Sequence, residues 1–579
     1  MNLPKLDPSS STVDFQNTTF SIDALGRLIC NTWQEATENG GPPFDVVVIG
    51  SGMYGAYLAT KINRLNPNKR VLVLEAGSFL IGEHVQNLGR VGLNVAGEIL
   101  PSSDDGNSRE LVWGIPWRGN VAFPGLAYCV GGKSVYWGGW CPELTNGDLS
   151  NWSTSTASYL TDNYAAIAKE IGVEPTTDFI SGDLQAALIE KARTAASEVS
   201  NIEITIGNNG VEAAPLAVQG NSPASGLFSF DKYSSVPILI SAIRQDSDQS
   251  GGNDANRKIF LVPKVHVVRL YANSGVVDTI EVEVNGQRKF LNISSSCSVV
   301  LAASTIESTR IALISFPTQL MGRNLMAHIR SDFTVRIKRS AFTPPLPLDL
   351  DTAAFLVRGI ATSGARFHIQ ATASAYAGSS PEQRSDELLY RMIPDLDLLQ
   401  EQLANDDPEW ITITLRGVGE MIGDRNTPVP NEDGSWINLS PFESDEFGVP
   451  RAYIQLKLSP DDSVTWNDMD QATIDLAQKI AEESENIEYF YDGEWQTTTF
   501  SMNRPFPNWR RSLGTTYHEA GTLWMGSDPS NSVTNGEGRF HHIQNAYACD
   551  QSIFPTVGSV NPVLTGLTLA RQLAEVLAT

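Results

Sequence analysis

Hydrophobic and polar positions follow a clear pattern in the first half of the chain. Residues Val46–Ile49 and Val71–Leu74 form continuous apolar runs, which is typical of strands buried on both faces of a parallel sheet. Between residues 258 and 293, shorter apolar runs are separated by the turn sequences Asn273-Ser-Gly and Asn285-Gly. This spacing predicts short strands joined by tight turns.

The second half begins with a buried strand, predicted from residue 298, that runs into a helix. Residues 331–508 then alternate between strands and two acidic helices. An N-terminal leader, residues 1–43, ends at a Gly-Gly-Pro-Pro stretch that favours a loop. The pattern predicts helices at residues 23–38, 381–403, 463–484 and 565–577.

The turn after the first predicted strand carries three glycines in the spacing of a dinucleotide-binding motif. Gly50 permits the tight turn, Gly52 lets the backbone approach a pyrophosphate, and Gly55 allows close packing of helix on strand. The next helix begins with Met53 and Tyr54, and its N-terminal amides and dipole point towards the phosphates. We therefore expect these five residues to bind the cofactor.

Glu75 completes this motif at the end of the second strand. It lies 25 positions after Gly50, where a carboxylate can accept hydrogen bonds from a ribose diol. A carboxylate at this place disfavours the 2′-phosphate of NADP. The Glu75-Ala-Gly ending favours FAD over NAD, and the remainder of the chain must decide between them.

Composition narrows the class of partner. The length of 579 residues suits two to four domains, and the net charge of −25 disfavours nucleic acid and anionic membranes as partners. No apolar run approaches the roughly 20 residues of a membrane span, and the first residues lack the features of a signal peptide. The five cysteines are scattered and odd in number, which favours free thiols in a reducing compartment. We therefore expect a cytoplasmic protein.

The C-terminal region carries a second constellation of residues. Tyr517-His518-Glu-Ala-Gly-Thr-Leu-Trp-Met-Gly is followed by Asp550 and then by Asn561-Pro562. Together with residues 50–77, 130–140 and 299–328, the region 518–577 resembles the glucose–methanol–choline (GMC) oxidoreductases, a family of FAD-dependent alcohol oxidases and dehydrogenases. These segments span the chain in the order found in the family, and the glycine loop at 130–140 is most similar to pyranose oxidases.

The resemblance implies an α/β fold with two domains. A Rossmann-type FAD-binding domain would consist of residues 44–158, 231–330 and 511–579. A substrate-binding domain, a mainly antiparallel sheet with flanking helices, would consist of residues 159–230 and 331–510.

The resemblance also implies the chemistry. Members of the family pass a hydride from an alcohol carbon to flavin N5 while a neutral histidine takes the hydroxyl proton. His518 matches that histidine, and Asn561, in a turn stiffened by Pro562, matches the residue that holds the alcohol oxygen. A single histidine is more often a buried structural residue, and the surrounding motif favours the catalytic interpretation.

The glycine loop is expected to lie along the flavin ring. Tyr136 stands where pyranose oxidases carry the histidine that bonds covalently to the flavin, so the resemblance implies non-covalent FAD. Gly138 stands where several relatives have a polar side chain near N5, which favours a dehydrogenase with a quinone-like acceptor over an oxidase. Cofactor contacts are therefore expected at Gly131, Gly132, Ser134, Tyr136, Trp137 and Gly138, and also at Val265, Asp550, Asn561 and Pro562.

Arg366, His368 and Gln370 alternate with apolar residues, so a strand would place the three polar groups on one face. They either hold substrate hydroxyls or form a solvated face. The expected function is oxidation of an alcohol or polyol, with a sugar or glycoside slightly preferred. The alternatives are a lyase without net redox chemistry, an oxygen-using oxidase that produces hydrogen peroxide, and a flavin-binding protein without turnover. No metal site is expected.

Overall fold

The computed structural model describes residues 29–82, 84, 113–114, 117–121, 126–173, 180, 182–218, 232–344, 346, 352–375, 407–426, 429–500 and 509–579. The helix predicted at residues 381–403 and the first 28 residues of the predicted leader lie outside these ranges.

The described α-helices are α1 (Trp33–Thr37), α2 (Met53–Leu65), α3 (Thr154–Glu170), α4 (Asp183–Ala196), α5 (Ser235–Gln249), α6 (Thr305–Ser315), α7 (Pro460–Ala481) and α8 (Val563–Leu577). The described strands are β1 (Val46–Ile49), β2 (Val71–Leu74), β3 (Trp113–Gly114), β4 (Arg118–Gly119), β5 (Leu126–Ala127), β6 (Val211–Ala213), β7 (Ile259–Val262), β8 (Val265–Asn273), β9 (Val276–Val284), β10 (Gln287–Asn292), β11 (Ser298–Leu301), β12 (His328–Lys338), β13 (Thr352–Ile360), β14 (Arg366–Ala375), β15 (Trp410–Glu420), β16 (Trp436–Ser444), β17 (Pro450–Gln455), β18 (Ile487–Tyr491), β19 (Glu494–Gln496) and β20 (Ala546–Ala548).

The first large sheet is parallel, with the strand order β20-β11-β1-β2-β7. Its strands are buried almost throughout, which explains why they read as continuous apolar runs in the sequence. Helix α2 packs against β1 and β2, and α8 packs on α2. Strands β8, β9 and β10 form a separate antiparallel sheet, as the turn sequences predicted.

The second large sheet is antiparallel, with the order β19-β18-β12-β15-β14-β13-β6. Helices α4 and α7 cover one of its faces. Gly417 and Gly419 of β15 lie on that face, because an added Cβ at either would come within 3.3 Å of the Met469 sulfur on α7. The even-numbered residues of β15 and their cross-strand partners Gln370 and His328 therefore lie on the opposite face.

These two sheets confirm the α/β fold class. The helices predicted at residues 463–484 and 565–577 are present as α7 and α8. The domain boundary predicted after residue 158 falls inside α3, whose buried side chains share a hydrophobic core with the parallel sheet. Because the buried apolar side chains of α3 all lie in that core, this helix belongs with the parallel sheet, and the other boundaries remain predictions.

Asp332 on β12 ties the antiparallel sheet to the segment that leads towards His518. Its carboxylate accepts hydrogen bonds from Arg330 at 2.8 Å, from Arg416 at 3.1 Å and from Arg511 at 2.6 Å. Burial raises the pKa of Asp332, but the three guanidinium groups outweigh it and hold that pKa well below its usual range. The ionised carboxylate therefore joins two strands and the following loop.

We expect Asp332→Asn to lower the free energy of unfolding by about 3–5 kcal/mol at pH 7, because buried guanidinium groups would lose their counter-charge. Urea denaturation measures this loss. Because the pKa of Asp332 is depressed on folding, the contribution is present above the ordinary carboxyl value of ~3.9 and is lost as the pH falls through the folded value. Glu198→Gln, which breaks an exposed pair with Lys479, is the control and should leave the midpoint unchanged. Equal midpoints for both variants would contradict the assigned role of Asp332.

Candidate active site

Five polar side chains form a continuous network between the antiparallel sheet and the C-terminal loops. His328 Nδ1 lies 2.7 Å from His518 Nδ1, and His518 Nε2 lies 3.4 Å from the amide nitrogen of Asn561. The Asn561 oxygen accepts a 2.7 Å hydrogen bond from Gln370, whose amide nitrogen also lies 2.9 Å from His368 Nε2. We refer to these five residues as the His–Asn network.

Regular elements position most of the network. His328 begins β12, while His368 and Gln370 lie two residues apart on β14 and so share one face. Asn561 precedes Pro562, which caps the N-terminus of α8 with a φ of −82° and so fixes the turn. The side chains meet where the antiparallel sheet faces the end of the last helix.

His328 and His368 are buried and His518 is half-buried, and the loss of hydration at these positions controls the charge of the imidazoles. It lowers the pKa of His328 to about 4 and that of His368 to about 3. Burial also lowers the pKa of His518 well below its usual range, and His328, His368 and nearby arginines add to this effect. All three imidazoles are therefore neutral at pH 7, as a general base requires.

The three polar residues predicted on one strand have different environments. His368 and Gln370 are 0% and 3% exposed, so a solvated strand face is wrong for them. Arg366 forms an ion pair with Glu203 at 2.7 Å and is not part of the His–Asn network. Strand β14 therefore brings His368 and Gln370 to Asn561, whereas the Arg366 side chain binds the Glu203 carboxylate.

The glycine turn after β1 has the geometry of a phosphate cradle. Gly50 has a φ of 99°, and a Cβ there would collide with the Ala302 carbonyl, while a Cβ at Gly55 would collide with the Gly50 carbonyl. Gly52, at the N-terminus of α2, has no atom within 4 Å of an added Cβ. The turn is therefore tight on its inner side and open in front of the helix N-terminus, which fits a bound pyrophosphate.

The predicted flavin loop lies directly on this turn. Gly131 donates a 3.0 Å hydrogen bond to the Ser51 carbonyl, and a Cβ at Gly132 would lie 3.1 Å from Gly52 Cα. Gly131 and Gly132 both have positive φ values, which favour glycine. Two segments about 80 residues apart in the sequence, which were both expected to contact the cofactor, are thus adjacent in space.

Glu75 ends β2 beside the same turn. Its carboxylate accepts hydrogen bonds from the backbone of Ser51 at 2.9 Å, from the Ser51 hydroxyl at 2.7 Å and from Gly77 at 2.8 Å. Burial raises the pKa of Glu75, whereas these hydrogen bonds lower it. These hydrogen bonds, together with one from the Ala76 backbone, fix the Glu75 carboxyl group beside the glycine turn.

The remaining predicted cofactor residues surround the turn. Met53 is buried, and its carbonyl accepts a 2.6 Å bond from Ser235. Tyr54 is also buried, and its hydroxyl accepts a 3.0 Å bond from Gln551, the residue after Asp550. The Asp550 carboxylate caps the next turn by accepting from Ser552. The Val265 N–H is bonded to the Glu75 carbonyl at 2.8 Å, which ties β8 to the end of β2.

Several side chains of the flavin loop contact other elements. The Ser134 hydroxyl is fully buried at the N-terminus of α5, 3.2 Å from that of Ser234, so its expected contact with the flavin ring is not favoured. The Trp137 indole donates to the Tyr233 carbonyl at 2.6 Å. The Tyr136 ring packs edge-on against Tyr517, with centroids 6.3 Å apart, and so links the loop to the residue before His518. Gly138 is half-buried.

Sequence reasoning assigned no role to His328, which the structure places next to His518. The residue ends the segment Gly322-Arg-Asn-Leu-Met-Ala-His328, one of the segments that carried the family resemblance. That segment was the available signal, but only the folded structure shows which side chain it brings to the base.

Comparisons with known proteins bear on the family and the fold of the chain. A family model described as GMC oxidoreductase matches residues 430–570. A curated C-glycoside 3-oxidase from Microbacterium trichothecenolyticum is 24% identical over 558 residues, which cover 91% of this chain and 95% of that protein. Pyridoxine 4-oxidase from Mesorbium loti is similar in structure, with a TM-score of 0.53, 15% identity and coverage of 92% of this chain and 98% of that one. Aspergillus oryzae formate oxidase has a TM-score of 0.56, 15% identity and coverage of 93% and 98%.

The solved structures show that the chain has the fold of these two oxidases. The family model and the curated relative confirm that the sequence resembles the GMC oxidoreductases, a family of FAD-dependent enzymes that act on CH–OH groups. Across the described ranges, no helix is long and apolar enough to cross a membrane. The same ranges contain no cluster of three or more His, Cys, Asp or Glu side chains suited to a metal ion.

Alanine at Gly52 and at Gly50 should separate cofactor binding from folding. We expect Gly52→Ala to leave the stability of the FAD-free protein within about 0.5 kcal/mol, because the added Cβ meets no protein atom. The same variant should retain FAD poorly, because the methyl group would take the space in front of the helix. Gly50→Ala should destabilise the FAD-free protein by about 1–3 kcal/mol, because its φ is positive and the Cβ collides with backbone. Thermal unfolding and FAD titration measure these effects, and normal FAD affinity in Gly52→Ala would contradict the assigned cradle.

Proposed function

We propose that the protein oxidises an alcohol or polyol to a carbonyl compound with FAD, and that His518 is the base. One observation carries the proposal: a neutral imidazole nitrogen of His518 and the amide nitrogen of Asn561 lie 3.4 Å apart, close enough for a single hydroxyl group to contact both. A hydroxyl group at that point could donate its proton to His518 and accept a hydrogen bond from Asn561.

His518 and Asn561 would have separate roles in the reaction. Asn561 orients the alcohol oxygen, and His518 Nε2 accepts the hydroxyl proton as the C–H bond breaks. FAD, when bound, supplies the hydride acceptor at N5. Positioned proton transfer of this kind commonly contributes roughly 10²–10⁴-fold to the rate. Asn561 does not titrate, so it can hold the oxygen whether or not His518 carries a proton.

We propose a sugar or a glycoside as the preferred substrate class. The curated relative is named a C-glycoside 3-oxidase and is aligned over most of both chains. A polyhydroxylated ring also suits a site in which the Asn561 amide and the His518 imidazole contact a single hydroxyl group. Bleaching of the flavin by a glycoside under anaerobic conditions would support this choice, whereas product formation without bleaching would favour a lyase.

His518→Ala should lower the rate of flavin reduction by roughly 10²-fold or more, because the positioned base is lost. FAD should still bind, because the glycine turn is untouched. Stopped-flow measurement of flavin absorbance gives the rate, and Asn561→Ala should show a smaller loss because Asn561 takes no proton. A parental rate in His518→Ala would show that another group is the base.

The pH dependence of flavin reduction should reflect the lowered pKa of His518. A base acts only when neutral, and a lowered pKa keeps the imidazole neutral to more acidic pH. We therefore expect the rate constant to stay level from pH 7 down to the ordinary histidine value of ~6.5 and to fall only below it. A fall already centred at or above that value would contradict the lowered pKa of His518 in the working enzyme.

We further propose that FAD is bound non-covalently. Tyr136 lacks the imidazole through which pyranose oxidases attach the flavin. Acid precipitation should therefore release all of the yellow colour into the supernatant, where its absorbance is measured. Colour that remains in the washed precipitate would show a covalent bond.

The electron acceptor is proposed to be a quinone or a similar compound, since Gly138 presents no polar side chain. The name of the curated relative makes oxygen the serious alternative. After anaerobic reduction with substrate, the flavin should reoxidise faster with a quinone than with air-saturated buffer. Equal rates, or a faster reaction with oxygen, would make the protein an oxidase that produces hydrogen peroxide.

A further inference from the structure

Two adjacent main-chain carbonyl groups contact the two deeply buried histidines of the His–Asn network. The Gly558 carbonyl lies 2.8 Å from His328 Nε2, and the Ser559 carbonyl is hydrogen-bonded to His368 Nδ1. A carbonyl oxygen can only accept a hydrogen bond. His328 Nε2 and His368 Nδ1 must therefore both carry a hydrogen atom.

This constraint fixes the proton positions on His518. His328 is neutral, so a hydrogen on its Nε2 leaves Nδ1 with a lone pair. That lone pair lies 2.7 Å from His518 Nδ1, which must therefore be the donor. His518 is also neutral, and a hydrogen on its Nδ1 leaves Nε2 unprotonated on the side of Asn561.

The second carbonyl fixes the amide of Asn561 by the same reasoning. With a hydrogen on its Nδ1, His368 presents a lone pair at Nε2 to the Gln370 amide nitrogen, 2.9 Å away. The two hydrogens of that nitrogen are then donated to His368 and to the Asn561 oxygen. The Asn561 NH₂ group must consequently face His518. The opposite amide orientation of Gln370 would place its oxygen against the lone pair of His368 Nε2.

The loop that carries the two carbonyls is itself firmly held. The Ser559 N–H donates to Asp148 at 3.0 Å, and the Gly558 N–H donates to Glu420 on β15. Gly558 has a φ of 66°, and a Cβ there would collide with Leu144. The carbonyl directions therefore depend on the packing of both large sheets.

We propose that His328, His368 and Gln370 are positioning residues. Through His328, the Gly558 carbonyl orients the lone pair of His518 Nε2 towards the substrate hydroxyl. Through His368 and Gln370, the Ser559 carbonyl orients the N–H groups of Asn561 towards the same hydroxyl. The inference deepens the proposed function and rests on it for the roles of His518 and Asn561. Free histidine and asparagine have no such fixed orientation, so the network selects one of several arrangements.

The first test needs no turnover. The chain has seven histidines, so ¹⁵N-histidine labelling of the FAD-bound enzyme, with single variants for assignment, can resolve the tautomer of each. We expect a protonated Nδ1 and an unprotonated Nε2 for His518, and the opposite tautomer for His328. His328→Leu should remove the preference at His518. A protonated Nε2 on His518 in the parent enzyme would overturn the inference, even if the enzyme oxidises alcohols.

Two matched substitutions at His328 form the second test. His328→Asn can keep an acceptor at the Nδ1 position, whereas His328→Leu cannot. We expect His328→Leu to lower the limiting rate of flavin reduction at least ~10-fold with little change in KM, since a misplaced proton disables the base. His328→Asn should restore most of that rate. His542→Leu, which removes another histidine bonded to a main-chain carbonyl, should have no effect. Equal rates for the Asn and Leu variants would refute the role of His328.

Gln370→Glu tests the other arm with almost no change of shape. A carboxylate offers only acceptors, so it would draw the Asn561 NH₂ group away from His518 and present its oxygen to the substrate. We expect flavin reduction to slow at least ~10-fold while FAD binding stays close to the parental value, because the glycine turn is untouched. A parental rate of flavin reduction in Gln370→Glu would refute the role of Gln370. The two hypotheses can also fail separately. If neither the parent enzyme nor any variant reduces its flavin with an alcohol, but the histidine tautomers are as expected, the proposed function is wrong and the positioning network is still supported.

Discussion

The site depends on one constraint: a main-chain carbonyl can accept a hydrogen bond but cannot donate one. Gly558 and Ser559 present two such carbonyls, side by side, to the buried rings of His328 and His368. Burial keeps these rings neutral, so each has one donor and one acceptor and no freedom to exchange them. The direction of every other hydrogen bond in the His–Asn network follows from these two contacts.

The two sheets contribute different parts of the site. The parallel sheet supplies a tight glycine turn at the N-terminus of α2, where backbone amides and the helix dipole favour a pyrophosphate. The antiparallel sheet supplies a rigid face on which His328, His368 and Gln370 hold fixed positions. His518 and Asn561, the proposed catalytic pair, come from loops between them, so the geometry of the pair depends on both sheets being in place.

The sequence predicted a tight glycine turn between β1 and α2 with Glu75 at the end of β2, because local spacing and strand periodicity indicate both, and the structure contains that turn. The cofactor contacts of Gly50, Gly52 and Glu75 stay predictions. The sequence also pointed to His518 and Asn561, through motifs in the C-terminal region. Their contact at 3.4 Å arises from the tertiary structure, which cannot be read from a single sequence.

Other features were missed for physical reasons. Strand alternation placed Arg366, His368 and Gln370 on one face, but could not show that Glu203 binds the first of them. The contact between His328 and His518 joins residues 190 positions apart. The boundary predicted after residue 158 failed because apolar periodicity identifies a helix without showing which core it joins.

We infer that the fold fixes the proton of His518 on Nδ1, which faces His328, and leaves Nε2 free to act as the base. Neutron diffraction from deuterium-exchanged crystals of the FAD-bound enzyme at neutral pH tests this most directly. We expect deuterium on His518 Nδ1 and on His328 Nε2, with none on His518 Nε2. Deuterium on His518 Nε2, or its absence from His328 Nε2, would show that the carbonyls do not fix the tautomer of His518.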